Sequence, residues 1–271
     1  MRRLIVNADD FGLTHGVNQA IAELHRAGVL TSTTLMAREK ATGEAIEIAL
    51  ATPSLGVGCH VVLVGGEPVM PGGFQLSMGT FLRRAITGRI DSVAIEAEAG
   101  AQIQLLQNRG VALTHVDTHK HTHMFPAVLR PVLRAARNAG IHAVRNPFEP
   151  AWSLRATPNA PWIRRNEVRL LRRLEPTFRR IVAEEGFATT DGNLGISATG
   201  SLDSETLSSL LNQLRPGTWE LVTHPGYNDA DLAAAGTRLL ASRNIERQAL
   251  LRWRPYPETK LISFAGLGAD G

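Results

Sequence analysis

The chain has 271 residues, 44% of them hydrophobic, and a formal net charge of +4. That length is near the upper end for one core and is the usual size of a single α/β barrel, while the composition excludes a disordered tract. The only cysteine, Cys59, excludes an internal disulfide and fits a reducing cytoplasm, and the short apolar run after the charged N-terminus is too brief for a signal peptide.

Apolar runs alternate with helix-like segments along the chain. Leu4 to Val6 reads as a strand, and Val17 to Arg26 as a helix ended by Gly28. Thr31 to Ala37 is β-branched and strand-like, Ala41 to Ala51 helical, and Leu55 to His60 a short glycine-bearing strand. A Gly/Pro-rich stretch from Val64 to Gly79 is longer than a βα connection needs, which is the mark of a lid or a substrate contact. The spacing then predicts a helix over Ser92 to Asn108, a strand over Val111 to Val116 and a helix over Val128 to Asn138. Ile141 to Val144 is strand-like, and Pro147 to Pro161 is irregular. Helices over Ser204 to Leu214 and Thr237 to Arg252 flank a strand, Trp219 to Thr223, and Lys260 to Phe264 closes the series as a strand.

Such alternation implies parallel strands joined by crossover helices. With no internal repeat or hinge signal, the expectation is an α/β fold. It is one domain over residues 1–271, a distorted (β/α) TIM-type barrel with parallel strands. In such barrels the chemistry gathers at the C-terminal strand ends. Asp9 and Asp10, His60, His119, Arg145 and His224 each fall just after a predicted strand.

The basic residues are mostly arginine, and many cluster between Trp162 and Leu174. Helical spacing there puts Ile163, Glu167, Leu170 and Leu174 on one face and the arginines on the other. A solvated basic face and a peripheral docking surface for anionic headgroups both account for it. Nucleic acid is not expected, because aromatics that would stack on bases are scarce. No stretch is long enough for a membrane span. A homodimer is the default for this size and class.

The densest chemical signal is Asp117-Thr118-His119-Lys120-His121-Thr122-His123. Imidazole is the commonest protein metal ligand, and a cluster this dense points to metal or catalytic use. In extended form the four alternate residues span about 20 Å, too far for one ion. If the chain turns helical after Thr118, His119 and His123 meet at i, i+4. Asp117 would then orient a ligand histidine from behind. Asp9 and Asp10 can divide two tasks, one binding an ion and the other taking a proton, or one can simply cap the next helix. His60 alone fits a hydrogen-bonded core position as well as a ligand, whereas Cys59 beside it reads as core. His224, before Pro225-Gly226, is a turn residue or a general acid. Arg145 can clamp an anionic group or position a carboxylate.

The segments Asn7-Ala8-Asp9-Asp10-Phe11-Gly12, Gly58-Cys59-His60, His115 to Pro126 and Thr223-His224-Pro225-Gly226-Tyr227 together resemble the YdjC-like carbohydrate deacetylases, in order over nearly the whole chain. That family includes chitooligosaccharide and hopanoid-associated deacetylases. The resemblance implies a distorted TIM-type barrel and metal-dependent removal of acetyl groups from N-acetylated amino sugars. It matches Asp10, His60 and His119 to metal ligands, Asp9 to the general base and His224 to the general acid. His121 and His123 are left to bind substrate or to support the site. Lys120 stands where family members often have another histidine. One divalent ion is implied: the two-nitrogen, one-oxygen donor set suits Zn2+ on ligand softness, and the family points to Mg2+. A glycosidase or phosphoesterase on the same barrel and a non-catalytic carbohydrate-binding protein are the rival readings. Adjacent aspartates fit a glycosidase poorly, since its two carboxylates stand about 5 to 10 Å apart across the sugar.

Overall fold

The computed structural model describes residues 1–71, 76–157 and 160–267. The chain opens with β1 (Arg2–Phe11), α1 (His15–Arg26), β2 (Ser32–Leu35), α2 (Thr42–Ala51) and β3 (Gly56–Val61). Then follow α3 (Met78–Ile86), α4 (Ser92–Asn108), β4 (Leu113–Thr118) and α5 (Pro126–Asn138). The middle is helical, with α6 (Ala151–Ala156), α7 (Trp162–Leu171) and α8 (Glu175–Glu184). The chain ends with β5 (Gly192–Leu194), α9 (Ser204–Asn212), β6 (Gly217–Thr223), α10 (Ala230–Ala234), α11 (Ala241–Arg252) and β7 (Thr259–Leu261).

The sheet order is β4-β3-β2-β1-β6-β5, and β7 pairs with the start of β1; every pairing is parallel. Between β4 and β5 only two isolated parallel bridges carry the curl onward, Val116 with Val144 and Ala143 with Ala188. The fold is therefore the expected α/β barrel, distorted because one side is reduced to single bridges. β1 lies in the middle and is buried from Leu4 to Phe11, as a strand covered on both faces must be.

The local signals explain the boundaries that agree. Asp91 accepts hydrogen bonds from the Val93 and Ala94 amides, so α4 starts where a capping aspartate predicts. Pro126, whose missing amide is harmless in a first turn, opens α5. Gly58 is required by packing: a Cβ there would lie 2.5 Å from the His115 ring, which itself stacks on Phe264 at 3.7 Å.

Five expectations need correction. The strand-like Ile141 to Val144 makes single bridges instead of a strand, and Lys260 to Phe264 shortens to β7, which pairs with β1 at residues 2–4, away from the site. The stretch from Val64 to Gly79 runs into α3, and its residues 72–75 lie outside the described residues. Pro147 to Pro161 contains α6, while residues 158–159 lie outside the described residues. In the arginine-rich segment Val168 is the one buried residue of α7, and Ile163 and Leu170 are exposed instead of forming an inward face. Among the described residues no helix is long and apolar enough to cross a membrane.

Candidate functional site

The end of β1 is bulged. Its register with β2 passes from Ala8 opposite Thr33 to Phe11 opposite Leu35, so β1 carries one extra residue. Asp10 takes up that residue in the left-handed region, with φ of 65°. An aspartate tolerates this conformation at a cost on the order of 1 kcal/mol, and a bulge re-aims the side chains beside it. Adjacent carboxylates, which would alternate across a regular strand, are thereby both brought to the wall of one cleft. Gly12, at φ of 93°, turns the chain away at once, and a Cβ there would press on Thr42 at 3.2 Å.

Three residues from three strand ends meet at Asp10 Oδ1. His60 Nε2 stands 3.6 Å and His119 Nδ1 3.4 Å from it, and the two ring nitrogens are 3.3 Å apart. Asp10 Oδ1 is buried and has no hydrogen-bond partner. A buried carboxylate oxygen with no hydrogen-bond partner, faced by two imidazoles, is the donor arrangement a divalent ion takes. His60 Nδ1 lies 2.7 Å from Asp117 Oδ1, so the Nδ1–H donates there and the Nε2 lone pair faces the centre. The donor set thus fits a divalent ion held by Asp10, His60 and His119. A second triad, Asp9, His60 and Asp117, is also close enough, but both of its carboxylates are paired with Arg145.

Arg145 is fully buried and holds three acids. Its guanidinium donates to both oxygens of Asp9, at 2.6 and 2.9 Å, to Glu220 at 2.8 Å, and pairs with Asp117. Of the two tasks read from the sequence, only positioning a carboxylate suits this place, because no part of the side chain reaches solvent. Burial alone would raise the Asp9 pKa, but Arg145, His60 and His224 outweigh it and hold the carboxyl well below the usual carboxylate range. Glu220 is the third acid on one cation; burial dominates there, and its pKa is pushed up to about 7. His60 is opposed by burial, yet Asp117, Asp9 and Asp10 raise its pKa to about 9.

The helical pairing of His119 with His123 does not form. Residues His119–Met124 make a 3-10 turn in which Lys120 and His121 are left-handed, at φ of 59° and 53°. His119 turns to His60 instead. His123 is buried: Nδ1 accepts from the Thr118 hydroxyl at 2.7 Å and Nε2–H donates to the Arg145 carbonyl at 3.2 Å. Burial lowers its pKa to about 4, so it is neutral and supports the Arg145 backbone instead of meeting a ligand. His121 lines the cleft, and its Nδ1 is buried without a partner. His224 Nε2 is 3.8 Å from Asp9 Oδ2, and burial lowers its pKa to about 4.

These groups open onto a cleft of about 630 Å³, lined also by Leu13, Met36, Val62, Ile163, Arg164 and Leu239. Two buried residues of α11 escaped the sequence reading. Arg243 donates to Asp10 Oδ2 at 2.5 Å, and Glu246 accepts the His224 amide at 2.6 Å. Their signal was present but weak: with Leu250 they form an i, i+3, i+7 stripe, so two charges share the helix face that carries an apolar core residue.

A family model described as YdjC-like protein matches residues 3–254. A carbohydrate deacetylase of Thermoanaerobacter pseudethanolicus is 28% identical over 261 residues, covering 92% of this chain and 91% of its own. A chitooligosaccharide deacetylase of Salmonella schwarzengrund is 42% identical over 149 residues, which is 52% of this chain and 58% of the Salmonella protein. This stronger match therefore spans little more than half of that relative's length. Among solved structures, a protein of Enterococcus faecalis V583 proposed to cleave cellobiose-phosphate superposes with a TM-score of 0.71 at 24% identity, covering 97% of each chain. That likeness shows the shared fold.

Proposed function

Because the chain belongs to the YdjC-like family, we propose that it is a metal-dependent carbohydrate deacetylase, hydrolysing the acetamide of N-acetylated amino sugars to acetate and a free amine. The observation that carries this reading is the unpaired Asp10 Oδ1 facing His60 and His119, one residue away from an ionised Asp9. A divalent ion held by Asp10, His60 and His119 would supply electrophilic stabilisation of the acetyl oxygen and acidify a bound water. Zn2+ suits the donor set, and Mg2+ is the alternative.

The chain's own groups divide the proton work. Arg145 keeps Asp9 ionised and fixes its direction, so orientation more than basicity is what the pairing supplies. Asp9 takes a proton from the attacking water as its oxygen bonds to the carbonyl carbon. His224, neutral at pH 7 with its pKa near 4, is 3.8 Å from the same carboxylate. It takes up the proton that Asp9 has gained from the water and passes it to the sugar nitrogen as the C–N bond breaks, which returns Asp9 to the carboxylate and His224 to the neutral imidazole. Glu246 holds the His224 backbone for that transfer. We assign substrate contact to His121, because it lines the cleft, and a supporting role to Asp117, Arg145 and His123.

The substrates we favour are chitooligosaccharide-like sugars or an N-acetylglucosaminyl glycolipid, and the exposed Trp162, Ile163 and Leu170 of α7 suit peripheral contact with the latter. The deciding assay incubates the chelator-stripped and the metal-reloaded protein with a panel of N-acetylated mono- and oligosaccharides. Equal release of acetate and amine by the reloaded protein alone is expected. Release of new reducing ends without acetate would replace the reading with a glycosidase, and no product from any sugar would favour a binding protein.

Two variant sets test the roles. Asp10→Ala, His60→Ala and His119→Ala should each lose the bound ion along with turnover, as elemental analysis of the purified proteins would report; full occupancy in any one removes that residue as a ligand. His224→Gln should keep the ion and lower turnover by something like 10²-fold on an N-acetyl sugar. The deficit should shrink on an acetanilide with a good leaving amine, which needs no proton donor. An equal deficit on both substrates would discard His224 as the acid.

A further inference from the structure

Arg243 is the largest buried charge at the site that the proton steps do not use. It comes from α11, is 1% exposed, and reaches Asp10 with a single nitrogen, Nη2, 2.5 Å from Oδ2. Its Nε and Nη1 are buried and have no hydrogen-bond partner. Leaving guanidinium donors unpaired in an interior is unfavourable, so this side chain is not there to satisfy its own hydrogen bonds. Its stem is wedged against the turn after His224, where a Cβ on Gly226 would lie 3.1 Å from Arg243 Cδ. The packing thus fixes where the one paired nitrogen points.

The two oxygens of Asp10 have different partners as a result. Oδ2 faces a cation that never deprotonates, and Oδ1 faces the two imidazoles and accepts no hydrogen bond. A carboxylate beside a divalent ion can bind through one oxygen or both, and the second oxygen fills a position that water or substrate would otherwise take. Resting on the reading that Asp10, His60 and His119 hold such an ion, we propose that Arg243 is a positioning residue. It withholds Oδ2, makes Asp10 a one-oxygen ligand, and so keeps a coordination position open for the reaction.

Cobalt(II) is the probe, because its visible absorption is strong at four or five ligands and weak at six. The full-length protein loaded with cobalt should show the strong bands. Arg243→Met frees Oδ2, and its bands should weaken several-fold while the ion stays bound. Arg243→Lys, which keeps a cation for Oδ2, should restore them. Unchanged bands in Arg243→Met would overturn the proposal, and so would a folded Arg243→Met protein that binds no cobalt, since freeing an oxygen should not remove a ligand. A crystal structure of the cobalt-loaded wild-type protein gives a test independent of any variant: Oδ1 alone on the ion supports the assignment, and both oxygens on it overturn the assignment while leaving the deacetylase reading intact. A wild-type protein that binds no divalent ion would overturn both.

Discussion

Arg145→Met should be the most damaging single substitution in the chain, lowering stability by about 3–5 kcal/mol and abolishing turnover. The methionine fills much of the same volume, so the loss is electrostatic. Asp9, Asp117 and Glu220 would remain buried around a missing cation. The sign with pH follows from the carboxylates. In the wild-type protein the folded pKa of Asp9 is depressed below its ordinary 3.8, so its contribution is present above that value and is lost as the pH falls further. Without Arg145 burial prevails and the folded pKa lies above the unfolded one, so stability is present at low pH and lost as the pH rises. The difference between the two proteins should therefore be largest near neutrality and should narrow toward pH 4. Glu220, already raised to about 7 in the wild-type protein, is the acid most readily neutralised. Adding Glu220→Gln should recover part of the loss, because fewer unpaired charges remain. Urea unfolding at two pH values checks all of this. A gap that is constant with pH, or a double variant whose losses simply add, would show that Arg145 acts through packing alone.

Asp9→Asn should separate chemistry from assembly. The amide keeps the shape of the side chain and one oxygen that accepts from Arg145, losing the second of the two bonds, and it cannot take a proton. Ion content should stay at the wild-type level and turnover should fall by about 10²- to 10⁴-fold. KM should move little, since Asp9 gains its proton only as the water attacks. Rate measurements on the reloaded variant, paired with elemental analysis, provide the check. Loss of the ion would mean that Asp9 and Asp10 share the ligand role. Near-wild-type turnover would move the base to another group.

The site was more legible than the scaffold, for a chemical reason. Asp10, His60, His119 and His224 are scarce residue types at strand ends, and ends of parallel strands converge, so their positions could be read without knowing any contact. Asp117 behind His60 could be anticipated in the same way. The turn after Thr118 could not, because the left-handed Lys120 and His121 carry no glycine to announce it. Nor could the bulge that brings Asp10 beside Asp9. β5 has three residues, too few for a period to show, and it is held by its neighbour β6 more than by its own sequence. In α7 the apolar spacing suggested an inward face, yet Ile163 and Leu170 point outward, since periodicity gives a stripe but not which way it turns. Arg243 and Glu246 look like an ordinary exposed i, i+3 pair in sequence, and only the packing of α11 against the ends of β1 and β6 reveals two buried charges.

The place of β1 in the sheet also has a bearing on how the chain is made. One edge of β1 meets β2 within about twenty-five residues, but the other waits for β6, with Thr223 bonding to Asn7 across 216 residues of sequence. A chain growing from the ribosome therefore completes Asp10, His60, His119 and Arg145 early, while Arg243, which faces Asp10, arrives only after β6. During synthesis the half-built sheet exposes an apolar, unpaired strand edge, and contacts this distant in sequence form slowly. Folding should thus depend on protection of the N-terminal half until β6 has emerged, and a nascent chain stalled before residue 217 should be the species most prone to aggregate.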